Sequence, residues 1–242
     1  MHQKTWNKIT KHFDLIRERR IKDLFDEPKR FENFSEEAND ILIDFSKTNI
    51  DHKSRSLLLD LIKFSDLDLK RQNMFSGYAI NNSENRAVLH WVLRAQEHKF
   101  KLNDESVKEQ VKKMLLKMED FATKIRSGKI KSGANEKFTD IINVGIGGSD
   151  LGPRMCTRAL RPYHDGPRCH FVANVDSADL TDTLSQLKPE KTLVIIASKT
   201  FKTLETMTNA RALVKWLKSR LPTDFEKNLV AISSNPQETT KY

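Results

Sequence analysis

The spacing of apolar residues changes about halfway along this chain of 242 residues. In the first part, apolar positions recur three and four apart, which is the period of an amphipathic helix. The two clearest groups are Trp6, Ile9, Phe13 and Ile16, and then Leu57, Leu58, Leu61 and Ile62. The N-terminal part of the chain is therefore predicted to be mainly helical.

Two stretches of this part are ambiguous or irregular. Between Ile41 and Ser46 the alternation of apolar residues suits either a short strand or a turn of helix. Farther on, residues 75–83 carry the glycine, serine and asparagine that are typical of turns. A helix is predicted to begin at Ser83 or Glu84 and to carry Val88, Leu89, Val92 and Leu93.

The longest helical pattern covers residues 104–127. Its apolar stripe consists of Val107, Val111, Met114, Leu115, Met118, Phe121, Ala122 and Ile125. Asn103 or Asp104 can cap its first turn, and Gly128 can end it. We place a domain boundary here, with a mainly helical segment over 1–103 and a second domain over 104–242.

After this helix the pattern alternates between strand and helix. The predicted strands cover 141–146, 170–175, 193–197 and 229–232. The helical patterns between them cover 151–160, 180–187 and 207–217. Continuous apolar, β-branched runs that alternate with helices predict an α/β fold, in which helices cover both faces of a parallel sheet.

A glycine-rich loop lies where the first of these strands leads into a helix. Its sequence is VGIGGSDLGP, residues 144–153. Glycine lets the backbone approach a ligand closely, and a helix N-terminus attracts an anion. Ser149 can cap the helix or donate its hydroxyl to a phosphate. The loop is not a P-loop, because no GKS or GKT ends it. It also departs from the G-x-G-x-x-G motif, because Asp150 stands at the third glycine position. A tight strand-to-helix turn is the alternative interpretation.

A second polar loop follows the predicted strand 193–197. Its residues are Ser198, Lys199, Thr200, Phe201, Lys202 and Thr203. Hydroxyls, ammonium groups and helix N–H groups are suitable partners for a phosphate, whereas a simple helix cap with exposed lysines is the alternative. Because ligands bind at the carboxyl ends of parallel strands, the two loops together predict a phosphate-ester site.

Composition restricts the function without selecting it. Lysine and arginine number 42 against 33 aspartate and glutamate, so the net charge is +9 and the pI is near 9.4. This charge suits phosphorylated metabolites, nucleic acid or an anionic membrane, but it is spread along the chain as on ordinary helices. The mean hydropathy of −0.60 argues against a membrane protein. Cys156 and Cys169 lack zinc spacing, so no metal is expected.

Four blocks of the sequence resemble the phosphoglucose isomerase family, in the family's order. They are ILIDFSK at 41–47, MFSGYAINNSENRAVLHWVLR at 74–94, INVGIGGSDLGP at 142–153 and SKTFKTLETMTNA at 198–210. Other sugar-isomerase domains share part of the glycine block, whereas the RAVLH block is more specific. The resemblance covers nearly the whole chain. It implies a three-layer sugar-isomerase (SIS) domain with a parallel sheet, preceded by a mainly helical segment.

The resemblance also implies which residues bind substrate. Gly148 and Ser149 match positions that contact the sugar phosphate in the family. The loop that wraps the phosphate is matched by Ser198, Lys199, Thr200 and Thr203. Lys202 and Leu204 depart from the family's usual threonine and glutamine. Lys202 is also a substrate-binding candidate, because its charge can contact a phosphate; the alternative is a lysine that points to solvent.

The family interconverts glucose 6-phosphate and fructose 6-phosphate in glycolysis and gluconeogenesis, and no cofactor is expected. In the family a histidine and a lysine open the sugar ring. A glutamate then moves a proton between C2 and C1 through a cis-enediol, which an arginine stabilises. These groups belong to the second half of a longer protein, and no residue here matches the glutamate. We therefore expect this chain to be an inactive fragment that carries the phosphate side and no catalytic residue.

For the complete protein the resemblance implies a cytoplasmic homodimer, with neither nucleic acid nor membrane as a partner. Two other functions remain open. One is a stand-alone SIS-type module that binds sugar phosphate without catalysis. The other is a nucleic-acid binder, which the charge suggests but no helix-turn-helix, RNP or finger pattern supports. A reading frame that continues past Tyr242 into a second α/β domain would favour the isomerase over the module.

Overall fold

A computed structural model describes residues 2–95, 101–102 and 105–241 of the protein. The chain divides into two compact units, Met1–Val111 and Lys112–Tyr242. The boundary expected between residues 103 and 104 lies outside the described residues, as do its candidate caps Asn103 and Asp104.

The first unit combines helices with two short antiparallel hairpins. Its helices are α1 (His2–Ile16), α2 (Arg30–Asn33), α3 (His52–Lys63) and α4 (Leu67–Phe75), with 3₁₀ turns at Ile21–Asp26 and His90–Leu93. Its strands are β1 (Ser35–Ala38), β2 (Ile41–Asp44), β3 (Lys101–Leu102) and β4 (Glu105–Ser106), paired β1 with β2 and β3 with β4. The helices expected around Trp6–Ile16 and Leu57–Ile62 are confirmed. The long helix α5 (Val107–Ser127) follows, and Gly128 comes directly after it with a φ of 77°.

Asp51 ties α1 to α3 within this unit. It is the N-cap of α3, where its carboxylate accepts a 2.7 Å hydrogen bond from the Ser54 backbone N–H. His12 Nε2 and Arg19 Nη1 each lie 2.9 Å from the same carboxylate. Burial alone would raise the pKa of Asp51, but the hydrogen bonds from Ser54, His12 and Arg19 hold it far below its usual value.

The ambiguous segment 41–46 contains a strand. β2 pairs with β1 in a hairpin, and the turn residues Asn39 and Asp40 have φ values of 51° and 61°. Two consecutive left-handed residues fit the turn type that matches the twist of paired strands, and asparagine and aspartate tolerate that conformation better than most residues.

The helix predicted to begin at Ser83 or Glu84 is wrong. The Asn81 side chain accepts hydrogen bonds from Ser83 Oγ at 2.7 Å and from the Glu84 N–H at 3.3 Å. Asn81 also forms an isolated antiparallel bridge with Arg86, which closes a turn. Such side-chain bonds to the local backbone compete with a helix. Val88 and Leu89 are outside any helix, and Val92 and Leu93 lie in the 3₁₀ turn His90–Leu93.

The second unit is an α/β domain, as the alternating pattern predicts. Its strands are β5 (Asp140–Val144), β6 (Arg168–Val172), β7 (Thr192–Ala197) and β8 (Leu229–Ile232), all parallel and in the spatial order β6-β5-β7-β8. Its other helices are α6 (Leu151–Ala159), α7 (Ser177–Leu184), α8 (Leu204–Lys218) and the short α9 (Pro236–Thr239). The four predicted strands and the three helical patterns between them are confirmed.

Helices pack on both faces of this sheet. On one face, α7 and α8 bury Leu180, Met207, Ala210, Leu213 and Leu217 against Ile142, Val144, Val172, Val194 and Ile196. On the other face, Ile125 of α5 packs with Phe138 and Leu193. Alternate residues of β5 and β7 thus point to opposite helix layers, which explains why both strands carry consecutive apolar residues.

A buried carboxylate fixes the start of β5 to the start of β6. Asp140 Oδ1 lies 2.9 Å from both His170 Nε2 and Arg168 Nε, and Oδ2 accepts a 2.7 Å hydrogen bond from Thr139 Oγ1. Burial alone would raise the pKa of Asp140. The hydrogen bonds from His170, Arg168 and Thr139 nevertheless hold that pKa below its ordinary value of 3.8.

We expect Asp140→Asn to lower the free energy of unfolding at neutral pH by about 1–3 kcal/mol, because a neutral amide would replace the buried carboxylate that Thr139, Arg168 and His170 contact. A carboxylate with a lowered pKa stabilises the fold above its ordinary pKa of 3.8 and loses that effect as the pH falls through the lowered value. The difference between the two proteins should therefore shrink below pH 3.8 in denaturant titrations. Asp120→Asn, at an exposed carboxylate paired with Lys124, is the matched control and should change little. A constant difference across this pH range would contradict the assignment.

Candidate functional site

The strand order places both predicted loops beside one crevice. The chain moves from β5 to β6 on one side and then returns to β7 on the other side of β5. Such a reversal opens a crevice between the carboxyl ends of the two strands, where open α/β sheets bind ligands. Val144 pairs in register with Ile196, so β5 and β7 end level with each other. The glycine loop and the Ser198–Thr203 loop therefore begin side by side.

Two glycines of the first loop are required by the turn itself. A Cβ at Gly145 would lie 2.7 Å from Ser149 Cβ and 3.1 Å from the carbonyl oxygen of Ala197. Gly147 has a φ of 57°, in the left-handed region. Asn143 Nδ2 donates a 2.9 Å hydrogen bond to the Ser149 carbonyl and closes the loop onto β5. The tight-turn interpretation therefore accounts for Gly145 and Gly147.

Gly148 is different, because the fold does not require a glycine there. A Cβ at this position would meet no protein atom within 4 Å, and the residue is exposed beside the start of α6. Ser149 follows at the end of the 3₁₀ turn Gly147–Ser149, and the N-cap of α6 is Asp150. Of the two roles left open for Ser149, capping of α6 is therefore excluded, because Asp150 occupies the capping position.

Arg154 is a charged residue at this crevice that the sequence analysis missed. Its Nε and Nη2 donate hydrogen bonds of 3.0 and 2.8 Å to Asp150 Oδ1, and its guanidinium lies 5.5 Å from the centre of the Phe171 ring. Asp150 is buried, so this pairing compensates its charge. The spacing of four residues between an aspartate and an arginine at a helix start was the available signal.

The second loop is a compact turn organised by its own hydroxyls. Ser198 is buried, and its Oγ accepts a 3.1 Å hydrogen bond from the Phe201 N–H and lies 3.2 Å from Thr203 Oγ1. Phe201 is buried with a φ of 58°, and Thr200 Oγ1 accepts from the Lys202 N–H at 3.3 Å. Thr203 is the N-cap of α8, but its side chain makes no capping hydrogen bond. The simple helix-cap interpretation therefore does not describe this loop.

Lys202 of this loop forms an ion pair that was not predicted from the sequence. Lys202 Nζ lies 3.4 Å from Glu238 Oε1 on α9, and Lys241 Nζ lies 2.9 Å from the same oxygen. The Lys241 hydrogen bond, and to a lesser extent Lys202, hold the pKa of Glu238 below its usual value, although burial opposes them. Lys199 and Thr200 are exposed in the middle of the loop.

An open cleft of about 510 Å³ adjoins the glycine loop at the ends of β5 and β6. Its lining residues are Ile146, Arg154, Ala173, Asn174, Val175, Asp179 and Glu205. Asp176, which lies next to it, caps α7 by accepting a 2.9 Å hydrogen bond from the Ala178 N–H.

Within the part of the chain that the structure describes, no group of histidine, cysteine and carboxylate side chains could hold a metal ion. None of the helices described there has both the length and the apolar composition of a membrane-spanning segment.

A helix-covered parallel sheet with two polar loops at its reversal point defines an α/β protein whose ligand crevice is expected at that point. The family model described as "Phosphoglucose isomerase" matches residues 44–242. The chain therefore belongs to the phosphoglucose isomerase family. The crystal structure of a glucose-6-phosphate isomerase from Chlamydia trachomatis has the same fold. It matches with a TM-score of 0.70 and 23% sequence identity over 89% of this chain and 42% of that one.

Two other relatives are more similar to this chain in sequence than the Chlamydia protein is. A glucose-6-phosphate isomerase from Cereibacter sphaeroides is 45% identical over 237 residues, which are 98% of this chain and 44% of that protein. One from Xanthobacter autotrophicus is 53% identical over 195 residues, which are 80% of this chain and 36% of that protein. The chain thus spans less than half the length of these relatives.

We expect Gly145→Ala to lower the free energy of unfolding by about 1–3 kcal/mol, because its Cβ would overlap the Ser149 side chain and carbonyl. Gly148→Ala, three residues away in the same loop, should leave that free energy nearly unchanged, since its Cβ meets open space. Denaturant titrations of both variants measure the contrast. Equal losses of stability at the two positions would contradict the conclusion that the turn requires glycine at 145 and not at 148.

Proposed function

We propose that this chain carries the phosphate-binding side of a glucose-6-phosphate isomerase. The observation that carries the proposal is the juxtaposition of the two loops at adjacent, level strand ends, each leading into a helix N-terminus. Helix N-termini and hydroxyls stabilise a phosphate dianion through N–H and O–H donors. The proposed substrate-binding residues are Gly148, Ser149, Ser198, Lys199, Thr200, Lys202 and Thr203.

The geometry suggests a distinct role for each group of residues. Gly148 gives the phosphate close access to the backbone, since neither its conformation nor its packing requires a glycine. Thr203 and Ser149 offer hydroxyls at the starts of α8 and α6. Ser198 is buried and organises the second loop through its bond with the Phe201 N–H, so it acts chiefly by holding the other donors in place.

Isomerisation also needs a base that reaches the proton on C1 and C2 of the sugar. Asp150 is the carboxylate within the glycine loop, and it is buried and paired with Arg154. The Ser198–Thr203 loop contains no carboxylate. We propose that the groups that open the ring and transfer the proton come from the part of the relatives' length that this chain does not span.

We further propose a mainly helical segment over 1–103 and an SIS domain from residue 104 onward. For the complete protein we propose a homodimer in the cytoplasm. Leu151 and Leu160 of the α6 region are 66% and 59% exposed, which supports a protein partner surface there. Cys156 and Cys169 are both free thiols, which supports a reducing compartment. Size-exclusion chromatography and localisation of the complete gene product test these two points.

The double variant Thr200→Ala with Thr203→Ala should weaken phosphate binding by about tenfold or more, since a hydrogen bond to a charged group contributes about 1.5–3 kcal/mol. Amide shifts of the 242-residue chain during titration with inorganic phosphate measure the affinity. Thr223→Ala, whose exposed hydroxyl bonds Asp224 away from the loops, is the matched control. Lys202→Thr should weaken binding less than the double variant does, because Lys202 also pairs with Glu238. Unchanged binding in the double variant would refute the site.

Binding without turnover is expected of the 242-residue chain. It should respond to glucose 6-phosphate in the same titration and form no fructose 6-phosphate in a coupled assay. The complete gene product should catalyse the conversion. Clear turnover by the shorter chain would show that a base lies within it, and an inactive complete protein that still binds would favour the sugar-phosphate-binding module.

A further inference from the structure

The segment that follows β8 donates several hydrogen bonds to the backbone of the Ser198–Thr203 loop. Three donors converge on the carbonyl oxygen of Lys199. They are Ser233 Oγ at 3.0 Å, Ser234 Oγ at 2.8 Å and the Ser234 backbone N–H at 3.1 Å. A carbonyl oxygen has two lone pairs, so three donors are an unusually complete hold on a single exposed peptide group.

The same segment makes two further contacts with the loop. Asn235 Nδ2 donates a 3.2 Å hydrogen bond to the Thr200 carbonyl, and Glu238 carries the ion pair with Lys202. Asn235 Oδ1 also accepts from the Glu238 N–H at 3.4 Å, as the N-cap of α9. We refer to residues 233–238 as the brace. It continues the sheet, since Ser198 N–H donates to the Ile232 carbonyl at 3.0 Å.

The strand order shows on which side of β7 these hydrogen bonds to the Lys199 carbonyl lie. β8 lies on one side of β7 and β5 lies on the other. The brace draws the Lys199 carbonyl toward the β8 side. In a trans peptide the carbonyl and the next N–H point in opposite directions, so the N–H of Thr200 points away from the brace. The crevice where the glycine loop begins lies on the β5 side of β7, opposite to β8.

The next N–H along the chain, that of Phe201, does not share the orientation of the Thr200 N–H. The Phe201 N–H points back into the loop, where it donates to Ser198 Oγ at 3.1 Å and to the Ser198 carbonyl at 3.2 Å. Phe201 itself is buried, which anchors the loop from below. Thr200 thus lies between an internal anchor and the external brace.

We propose that Ser233 and Ser234 are positioning residues for phosphate binding, which act by fixing the Lys199–Thr200 peptide so that the Thr200 N–H faces the crevice. This inference rests on the proposed function, because it assigns a cause to the geometry of that same site. Neither serine touches the ligand. Their contribution is to hold the Thr200 N–H in its binding orientation before the ligand arrives, so that binding carries no entropic cost for ordering this peptide.

The test compares the 242-residue chain with the double variant Ser233→Ala, Ser234→Ala in titrations with inorganic phosphate. Removal of two hydroxyl donors should raise the Kd for phosphate by about 2- to 10-fold. The phosphate-induced shift of the Thr200 amide should shrink, whereas that of the Gly148 amide should keep its size at saturation. Ser233→Thr with Ser234→Thr retains both hydroxyls and should restore both readouts.

Ser219→Ala is the matched control, because it removes a 2.7 Å serine-to-carbonyl hydrogen bond at the far end of α8. It should leave the Kd unchanged. Ser234→Ala alone serves if the double variant does not fold, since it removes the 2.8 Å bond and keeps the bond from the Asn235 N–H to Ser233 Oγ. It should raise the Kd by a smaller factor and also reduce the Thr200 response.

The outcomes separate the two proposals. If the unaltered chain shows no response to phosphate, both the proposed function and this inference are overturned. If the unaltered chain responds and the serine-to-alanine variants keep its Kd and its Thr200 shift, the inference alone is overturned. An equal loss at Thr200 and Gly148 at saturation would likewise overturn it, because general distortion of the domain would then explain the effect.

Discussion

The parallel pairing of β5 with β7 is the constraint on which the rest of this structure depends. Both strands are covered by helices on their two faces, and Val144 stands level with Ile196 at their carboxyl ends. The chain departs from these two ends in opposite directions, because β6 and β8 flank the pair. One pairing therefore creates the crevice, places a loop on each side of it and directs the starts of α6 and α8 toward it.

The loops at this crevice are fixed chiefly by hydrogen bonds between short side chains and the backbone. Gly145 allows the first loop to fold back against Ser149, and Ser198 closes the second by holding the Phe201 N–H. Neither loop relies on a long flexible side chain for its shape. Preoriented N–H and O–H donors stabilise an anion without the cost of ordering them on binding, so stiffness here is itself a contribution to affinity.

Much of the sheet, but less of the site, could be predicted from the sequence. The strand 192–197 contains a continuous apolar run, because both of its faces are buried. Such a run is visible in the sequence without any knowledge of distant contacts. The helix expected from Ser83 failed because the Asn81 side chain captures the Ser83 and Glu84 donors, which no apolar period reveals. The partners of Lys202 and Lys199 were not predictable either. They lie more than thirty residues away, in a segment that only the β7–β8 pairing brings to the loop.

The ion pair at Lys202 changes how the chain's net charge of +9 relates to its site. A free lysine in the loop would attract any anion from a distance and depend strongly on salt. Glu238 instead offsets that charge, and Asp150 offsets Arg154 beside the other loop. Apart from Lys199, the donors that we propose to contact phosphate are then mainly neutral groups with fixed directions. In the site that we propose, selectivity for a tetrahedral phosphate would therefore depend on the positions of peptide groups, whereas basic residues elsewhere would raise the local concentration of anions without choosing among them.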